Sequence, residues 1–216
     1  MDKKIIIISG FSGAGKDTVI KKVMQLNDGS MNVWFSTSDT TREPRDPSDH
    51  YNFISYELFM KRQSEGYYLE HNTYAEKMYG TPLKPIVDAN GIVILQVDVN
   101  GMEQALKHEA LRNISVTTVF IAAKAKDLYL RLTKRGDDIT KIRERLRTAC
   151  DETSFVHKYD FVLVNDDAKE TAEKLCKIIV GESIAGDVFD EKEFVREMKA
   201  FNTNEQQSYT TTKKEI

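Results

Sequence analysis

Lys16 closes a glycine-rich turn, Gly10-Phe11-Ser12-Gly13-Ala14-Gly15-Lys16. The spacing fits G-x-x-x-x-G-K. In that pattern the glycines let backbone N–H groups turn toward a phosphate, and the following helix start adds its positive dipole end. Gly10, Ser12, Gly13, Ala14 and Gly15 supply the cradle. Lys16 would bridge the β- and γ-phosphates and follow charge as it develops during transfer. The next residue departs from the pattern, which expects a Ser or Thr hydroxyl for a metal ion, because this chain has Asp17 and then Thr18. As a hard-cation ligand, Asp17 would hold Mg²⁺ directly or through water. Alternatively it is an exposed acid favoured by the helix N-terminus, with Thr18 contributing elsewhere. Both readings stand on sequence.

A second set of residues suits another phosphate. Arg42 and Arg45 lie three apart and are followed by Tyr51. Two guanidinium groups and a phenol match one phosphate, since arginine offers planar, paired donors. Downstream, Glu70 in Gly66-Tyr67-Tyr68-Leu69-Glu70-His71 adds a carboxylate, and Met78-Tyr79-Gly80-Thr81 adds a phenol and a hydroxyl. By itself Arg-x-x-Arg is an ordinary surface feature. It gains meaning from the phosphate loop upstream.

The elements that must hold these residues follow from hydrophobic patterning. Ile5-Ile6-Ile7-Ile8 is an unbroken β-branched run, the mark of a strand buried on both faces of a parallel sheet. Strand-like runs recur at 33–36, 92–97, 116–122 and 161–164. Helical patterns lie at 15–26, 102–110, 126–133, 139–153 and 168–180. This alternation predicts an α/β fold with right-handed crossovers. Residues 37–81 interrupt it with tyrosine-rich alternating stretches and a helix near 56–63, the pattern of a small inserted subdomain. The charged stretch 136–146 reads as a mobile element. Past residue 180 a helix over 187–201, with Phe194, Met198 and Phe201 on one face, precedes a polar tail.

Composition narrows the function classes. With 31 Lys and Arg against 34 Asp and Glu, the net charge of −3 argues against a general nucleic-acid binder, so polyanions must be held by local arginines. Two cysteines without a CxxC pair argue against a disulfide framework or zinc site, and fit a reducing cytoplasm. No apolar stretch reaches membrane-spanning length. His50, His71, His108 and His157 receive no catalytic role.

Across about residues 4–180 the sequence closely resembles the guanylate kinase family. The shared motifs are the phosphate loop, Thr-Thr-Arg-x-x-Arg, Tyr-Asn-Phe, Gly-x-x-Leu-Glu-His, Tyr-Gly-Thr, Val-Asp-Val-x-Gly, Arg-Leu-x-x-Arg-Gly and Val-Asn-Asp-Asp, in that order. The resemblance implies a P-loop kinase with a mostly parallel five-stranded core at 1–36 and 82–180. A GMP-binding subdomain would occupy 37–81, a lid about 136–146 and a C-terminal extension 181–216. It implies transfer of the ATP γ-phosphate to GMP with Mg²⁺. The composition leads to the expectation of a cytoplasmic monomer or homodimer that binds neither nucleic acid nor membrane. By resemblance Arg42, Arg45, Tyr51 and Tyr79 hold the GMP phosphate, and Ser38, Glu70, Thr81 and Asp98 surround the guanine. Arg131, Arg135 and Arg145 match the lid-side arginines, and Asn165 lies where the family holds the adenine. Lys16, Arg42, Arg135 and Arg145 form the implied catalytic set.

The chain departs from the family pattern in four places. The Arg45–Tyr51 stretch is short, Gln96 stands where an acid is usual, Asp17 replaces the hydroxyl residue, and the lid stretch is slightly short. An acid after the loop lysine also resembles ribose bisphosphate phosphokinases and some phage deoxynucleotide kinases, although Ser38, Glu70 and Thr81 together fit guanine. Guanylate kinase-like interaction modules have typically lost a working phosphate loop, whereas Gly15, Lys16 and Arg135 are present here.

Overall fold

We describe the protein from a computed structural model covering residues 3–44, 50–74, 76–136 and 138–212, with side chains through residue 201. The first half runs β1 (Lys4–Gly10), α1 (Lys16–Leu26), β2 (Val33–Phe35), β3 (Ser38–Thr40), β4 (Tyr51–Phe53), α2 (Tyr56–Ser64), β5 (Tyr68–Tyr74), β6 (Lys77–Pro82), α3 (Leu83–Asp88) and β7 (Ile92–Gln96). The second half runs α4 (Val99–Lys107), β8 (Ser115–Ala122), α5 (Ala125–Lys134), α6 (Ile139–Glu152), β9 (Phe161–Val164), α7 (Ala168–Val180) and α8 (Glu191–Thr212). Five strands form one sheet in the order β2-β7-β1-β8-β9, and four form another in the order β4-β3-β6-β5. The chain divides into two compact units, residues 1–9 with 24–118 and residues 10–23 with 119–216, and β1 and β8 each pass from one into the other.

In the first unit, β1 and β2 both pair in parallel with β7. Ile5 through Ile8 are fully buried, as the unbroken apolar run requires. The second sheet begins at Ser38. There β3 pairs in parallel with β4 and antiparallel with β6, and β5 pairs antiparallel with β6. Ser55 caps α2 by accepting from Leu58 N–H at 3.2 Å. Asp98 caps α4 by accepting from Gly101 N–H at 2.7 Å, which starts that helix at Val99, ahead of the expected 102. The short helix α3 is absent from the sequence reading, because Pro85 lies in it; a proline within the first turn removes no helical hydrogen bond.

One buried charge organises the second sheet. The fully buried Asp39 accepts from Arg62 Nη1 at 2.5 Å, Tyr68 Oη at 2.9 Å and Asn52 Nδ2 at 3.0 Å. The ring of Tyr68 stacks on the buried Phe59 of α2 at 4.7 Å, so one carboxylate gathers β3, β4, β5 and α2.

In the second unit, β8 and β9 pair in parallel, from Val119↔Phe161 to Ala122↔Val164. The other side of β9 is covered by the segment after α7: Asp187 N–H donates to Val162 O at 2.8 Å, and Val164 N–H donates to Asp187 Oδ2 at 2.9 Å. Gly181, at φ 83°, ends α7 in the left-handed conformation open to glycine. Phe194 and Met198 of α8 are buried, as their spacing predicts. The polar tail expected from residue 202 is instead helical to Thr212. Residues 202–212 contain neither glycine nor proline to stop the helix, so backbone hydrogen bonding continues past the apolar face.

Replacing Asp39 with alanine leaves the Arg62 guanidinium and the Tyr68 hydroxyl without their shared acceptor. The expected loss is about 3 kcal/mol, read from urea denaturation midpoints at constant m-value. A variant within 0.5 kcal/mol of the parent, roughly the scatter of neutral surface changes, would show that the carboxylate does not hold this sheet together.

Candidate active site

The phosphate loop is shaped by close approaches that leave no room for side chains. A Cβ on Gly10, whose φ is +151°, would lie 2.1 Å from Ile121 O, and one on Gly15, at φ +90°, would lie 2.6 Å from Asn165 Nδ2. Both positions therefore require glycine. Ala14 N–H donates to Phe11 O at 3.0 Å, and Lys16 Nζ donates to Gly10 O at 2.6 Å and to Phe11 O at 3.1 Å. Asp17 and Thr18 are exposed in the first turn of α1.

Behind the loop, Ala14 O accepts from Asn165 Nδ2 at 2.7 Å and from Arg131 Nη1 at 3.1 Å. The other arm of Arg131 donates to Asn165 O at 2.7 Å, and Arg145 Nη1 donates to Ser12 Oγ at 2.5 Å. The structure thus brings Ser12, Ala14, Gly15, Arg131, Arg145 and Asn165 together. Asn165 is buried, with its Oδ1 accepting from Thr171 Oγ1 at 3.3 Å. Its amide braces the loop through Ala14 O. Arg135 is the exposed C-cap of α5.

A separate cluster of buried polar side chains lies in the first unit. Ser38 Oγ and Thr81 Oγ1 are 3.1 Å apart, and Thr81 Oγ1 donates to Glu70 Oε1 at 2.5 Å. All three residues are buried, with Glu70 only 6% exposed. A bulge in β5 between Tyr68 and Glu70 sets the Glu70↔Thr81 pairing. Asp98 adjoins, accepting from Asn72 Nδ2. Burial pushes the Glu70 carboxyl up to about 7; the Thr81 hydrogen bond opposes that rise and the Asp98 charge adds to it.

Next along the same sheet, the Arg42 guanidinium lies 4.9 Å from the Tyr51 ring centre and 5.4 Å from that of Phe53. The Tyr51 and Tyr79 rings meet edge to face at 5.9 Å. Arg42 is 8% exposed, low for an arginine. Tyr51 pairs with Ser38 in the β3–β4 ladder, which places its ring beside Arg42. Arg45 lies outside the described residues.

A glycine loop braced by two arginines, a buried carboxylate–hydroxyl cluster and an arginine–tyrosine cluster make a combination that can be compared with known proteins. A family model described as guanylate kinase matches residues 2–182. The chain belongs to the guanylate kinase family. A guanylate kinase of Campylobacter jejuni (strain RM1221) is 40% identical over 184 residues, covering 82% of this chain and 87% of its own. One from Malacoplasma penetrans is 37% identical, covering 82% and 92%, and one from Clostridium perfringens is 32% identical, covering 94% and 93%. The crystal structure of guanylate kinase from Anaplasma phagocytophilum superimposes with a TM-score of 0.64 at 26% identity, covering 83% of this chain and 85% of that one.

Sequence reasoning missed two residues of the buried cluster. Asn72 lies two positions after Glu70 on β5, so period-two alternation would have placed it on the same face. Gly101 lies three after Asp98, the spacing of an N-cap, and a Cβ there would come within 2.6 Å of Glu70 Oε2. That glycine leaves the carboxylate its space.

The raised Glu70 value fixes the sign of a pH effect. A carboxyl whose folded value exceeds its unfolded value stabilises the fold while neutral. That contribution is complete below about 4.5 and is lost as pH rises through about 7. Glu70→Gln removes the titration, so its stability relative to the parent should rise by about 3 kcal/mol between pH 4.5 and pH 8, measured by denaturation at each pH. A difference that stays flat across this range would refute a buried, pH-titrating Glu70.

Proposed function

We propose that this protein is a guanylate kinase, transferring the γ-phosphate of ATP to GMP to give ADP and GDP. The observation that carries this reading is Glu70, buried beside the hydroxyls of Ser38 and Thr81. Guanine presents N1–H and N2–H₂ together, two donors that one carboxylate accepts; adenine lacks the pair and would leave a buried acid unanswered. We assign Arg42, Tyr51 and Tyr79, with Arg45, to the GMP phosphate, and residues 37–81 to GMP binding. Asp98 borders the base through its link to Asn72.

The donor nucleotide is assigned to Gly10–Lys16. Backbone N–H groups and the start of α1 hold its phosphates, and Lys16 exchanges loop carbonyls for phosphate oxygens, for which its ammonium carries three donors. Arg145 and Arg135 add positive charge where the transferring group becomes electron-rich. Arg131 and Asn165 act mainly by holding the loop carbonyls. Transfer requires in-line placement and exclusion of water, roles assigned to closure of 37–81 and of the stretch 136–146.

Among the described residues no group of three or more acidic, His or Cys side chains would hold a metal unaided. The exposed Asp17 carboxylate beside Lys16 fits a Mg²⁺ that takes most of its ligands from nucleotide phosphates and water. Bound there, the metal would neutralise phosphate charge and keep Asp17 from repelling the nucleotide. No helix among the described residues is long and apolar enough to cross a membrane.

With ATP and Mg²⁺, GMP should be turned over at least about a hundredfold more efficiently than AMP, read as kcat/KM in a nucleoside monophosphate panel. Comparable values for the two would remove the guanine assignment. Lys16→Ala should lower kcat on the order of a thousandfold with little change in melting temperature. Retention of most activity would move the chemistry away from the loop.

A further inference from the structure

The segment after residue 182 lies beyond the family match, yet it is built into the back of the phosphate loop. Phe11, second in that loop, is fully buried, and its ring stacks on Phe194 of α8 at 4.7 Å and an interplanar angle of 11°. Phe189, just ahead of α8, meets the same ring at 5.7 Å, and Phe120 of β8 meets it edge to face at 4.9 Å. Phe194 is 3% exposed and Met198 fully buried. Further along α8, Phe201 stacks on Tyr129 of α5 at 5.1 Å, and α5 carries Arg131.

Phe11 matters because its carbonyl is a junction. That oxygen accepts from Ala14 N–H, which closes the loop, and from the Lys16 ammonium. A phenylalanine whose ring is clamped on several sides cannot shift its own carbonyl freely. Loosening the ring therefore releases the loop turn and the lysine together, while Glu70, Thr81 and Ser38 belong to the other compact unit.

We infer that Phe194 is a positioning residue for the donor site: by stacking on Phe11, the C-terminal helix holds the phosphate loop and Lys16 in nucleotide-binding geometry. This rests on the reading of Gly10–Lys16 as the donor site. Its marks are selective, falling on the adenine nucleotide and sparing GMP, which a general loss of folded protein would not do.

The test uses the full chain carrying Phe194→Leu, which keeps an apolar side chain but removes the flat ring, and Phe194→Ala. Arg196→Ala, on an exposed side chain of α8, serves as control. Binding of MgADP is measured by calorimetry, KM for GMP by steady-state kinetics, and amide exchange over residues 10–16 by mass spectrometry. Expected are an MgADP affinity lower by about tenfold in Phe194→Leu, faster exchange in the loop, KM for GMP within twofold of the parent, and no change in Arg196→Ala. Parent-like MgADP affinity in both Phe194 variants overturns the inference, as does a rise of both nucleotide constants together. A parent that binds no MgADP overturns the donor-site reading beneath it. Should Phe194→Leu fail to fold, Phe189→Leu removes another ring from Phe11 and is judged by the same outcomes.

Discussion

A loop that offers its N–H groups to an anion must turn its carbonyls the other way, and those carbonyls need donors of their own. In this protein the requirement falls on Ala14 O, which receives both Asn165 and Arg131. Much of the second unit follows from supplying those two side chains. Asn165 comes from the end of β9, held by Asn165 N–H donating to Ala122 O at 2.9 Å, and Arg131 comes from α5. The glycines at 10 and 15 exist because the strand and the asparagine approach too closely for any Cβ. The shape of the loop is thus set by side chains that reach it from elsewhere in the second unit.

The buried cluster of Ser38, Glu70 and Thr81 applies a different principle. It keeps a carboxylate where water does not compensate it, and its cost is visible as the upward push on the Glu70 proton affinity. Thr81 answers that group with both its hydroxyl and its backbone. Asp39, next to Ser38 in sequence, shows the contrasting arrangement. Its carboxylate is equally buried but accepts from Arg62, Tyr68 and Asn52, so it serves architecture.

Strong local signals made most of the fold readable. Ile5–Ile8, the glycine loop and the alternation of apolar runs predicted the parallel sheet, because burial on both faces imposes a pattern the sequence must carry. Ser38, Glu70 and Thr81 were likewise recognisable as a set, through family motifs, and the structure joins them by hydrogen bonds. What escaped was long-range. The bracing role of Asn165 depends on a partner 151 positions away, and no local pattern encodes it. Helix α3 hid behind Pro85, and α8 outran its apolar stripe because nothing in 202–212 breaks a helix.

The strap along β9 has a meaning apart from catalysis. A strand at the end of a sheet carries unspent backbone donors and acceptors, and β9 is such a strand. Asp187 occupies them with its own N–H and its carboxylate, and Lys174 holds that carboxylate through Nζ at 2.5 Å from Oδ1. A chain ending at residue 182 would present that rim bare, ready to recruit a strand from another molecule. By occupying that rim, the added segment denies neighbouring chains a template for strand pairing.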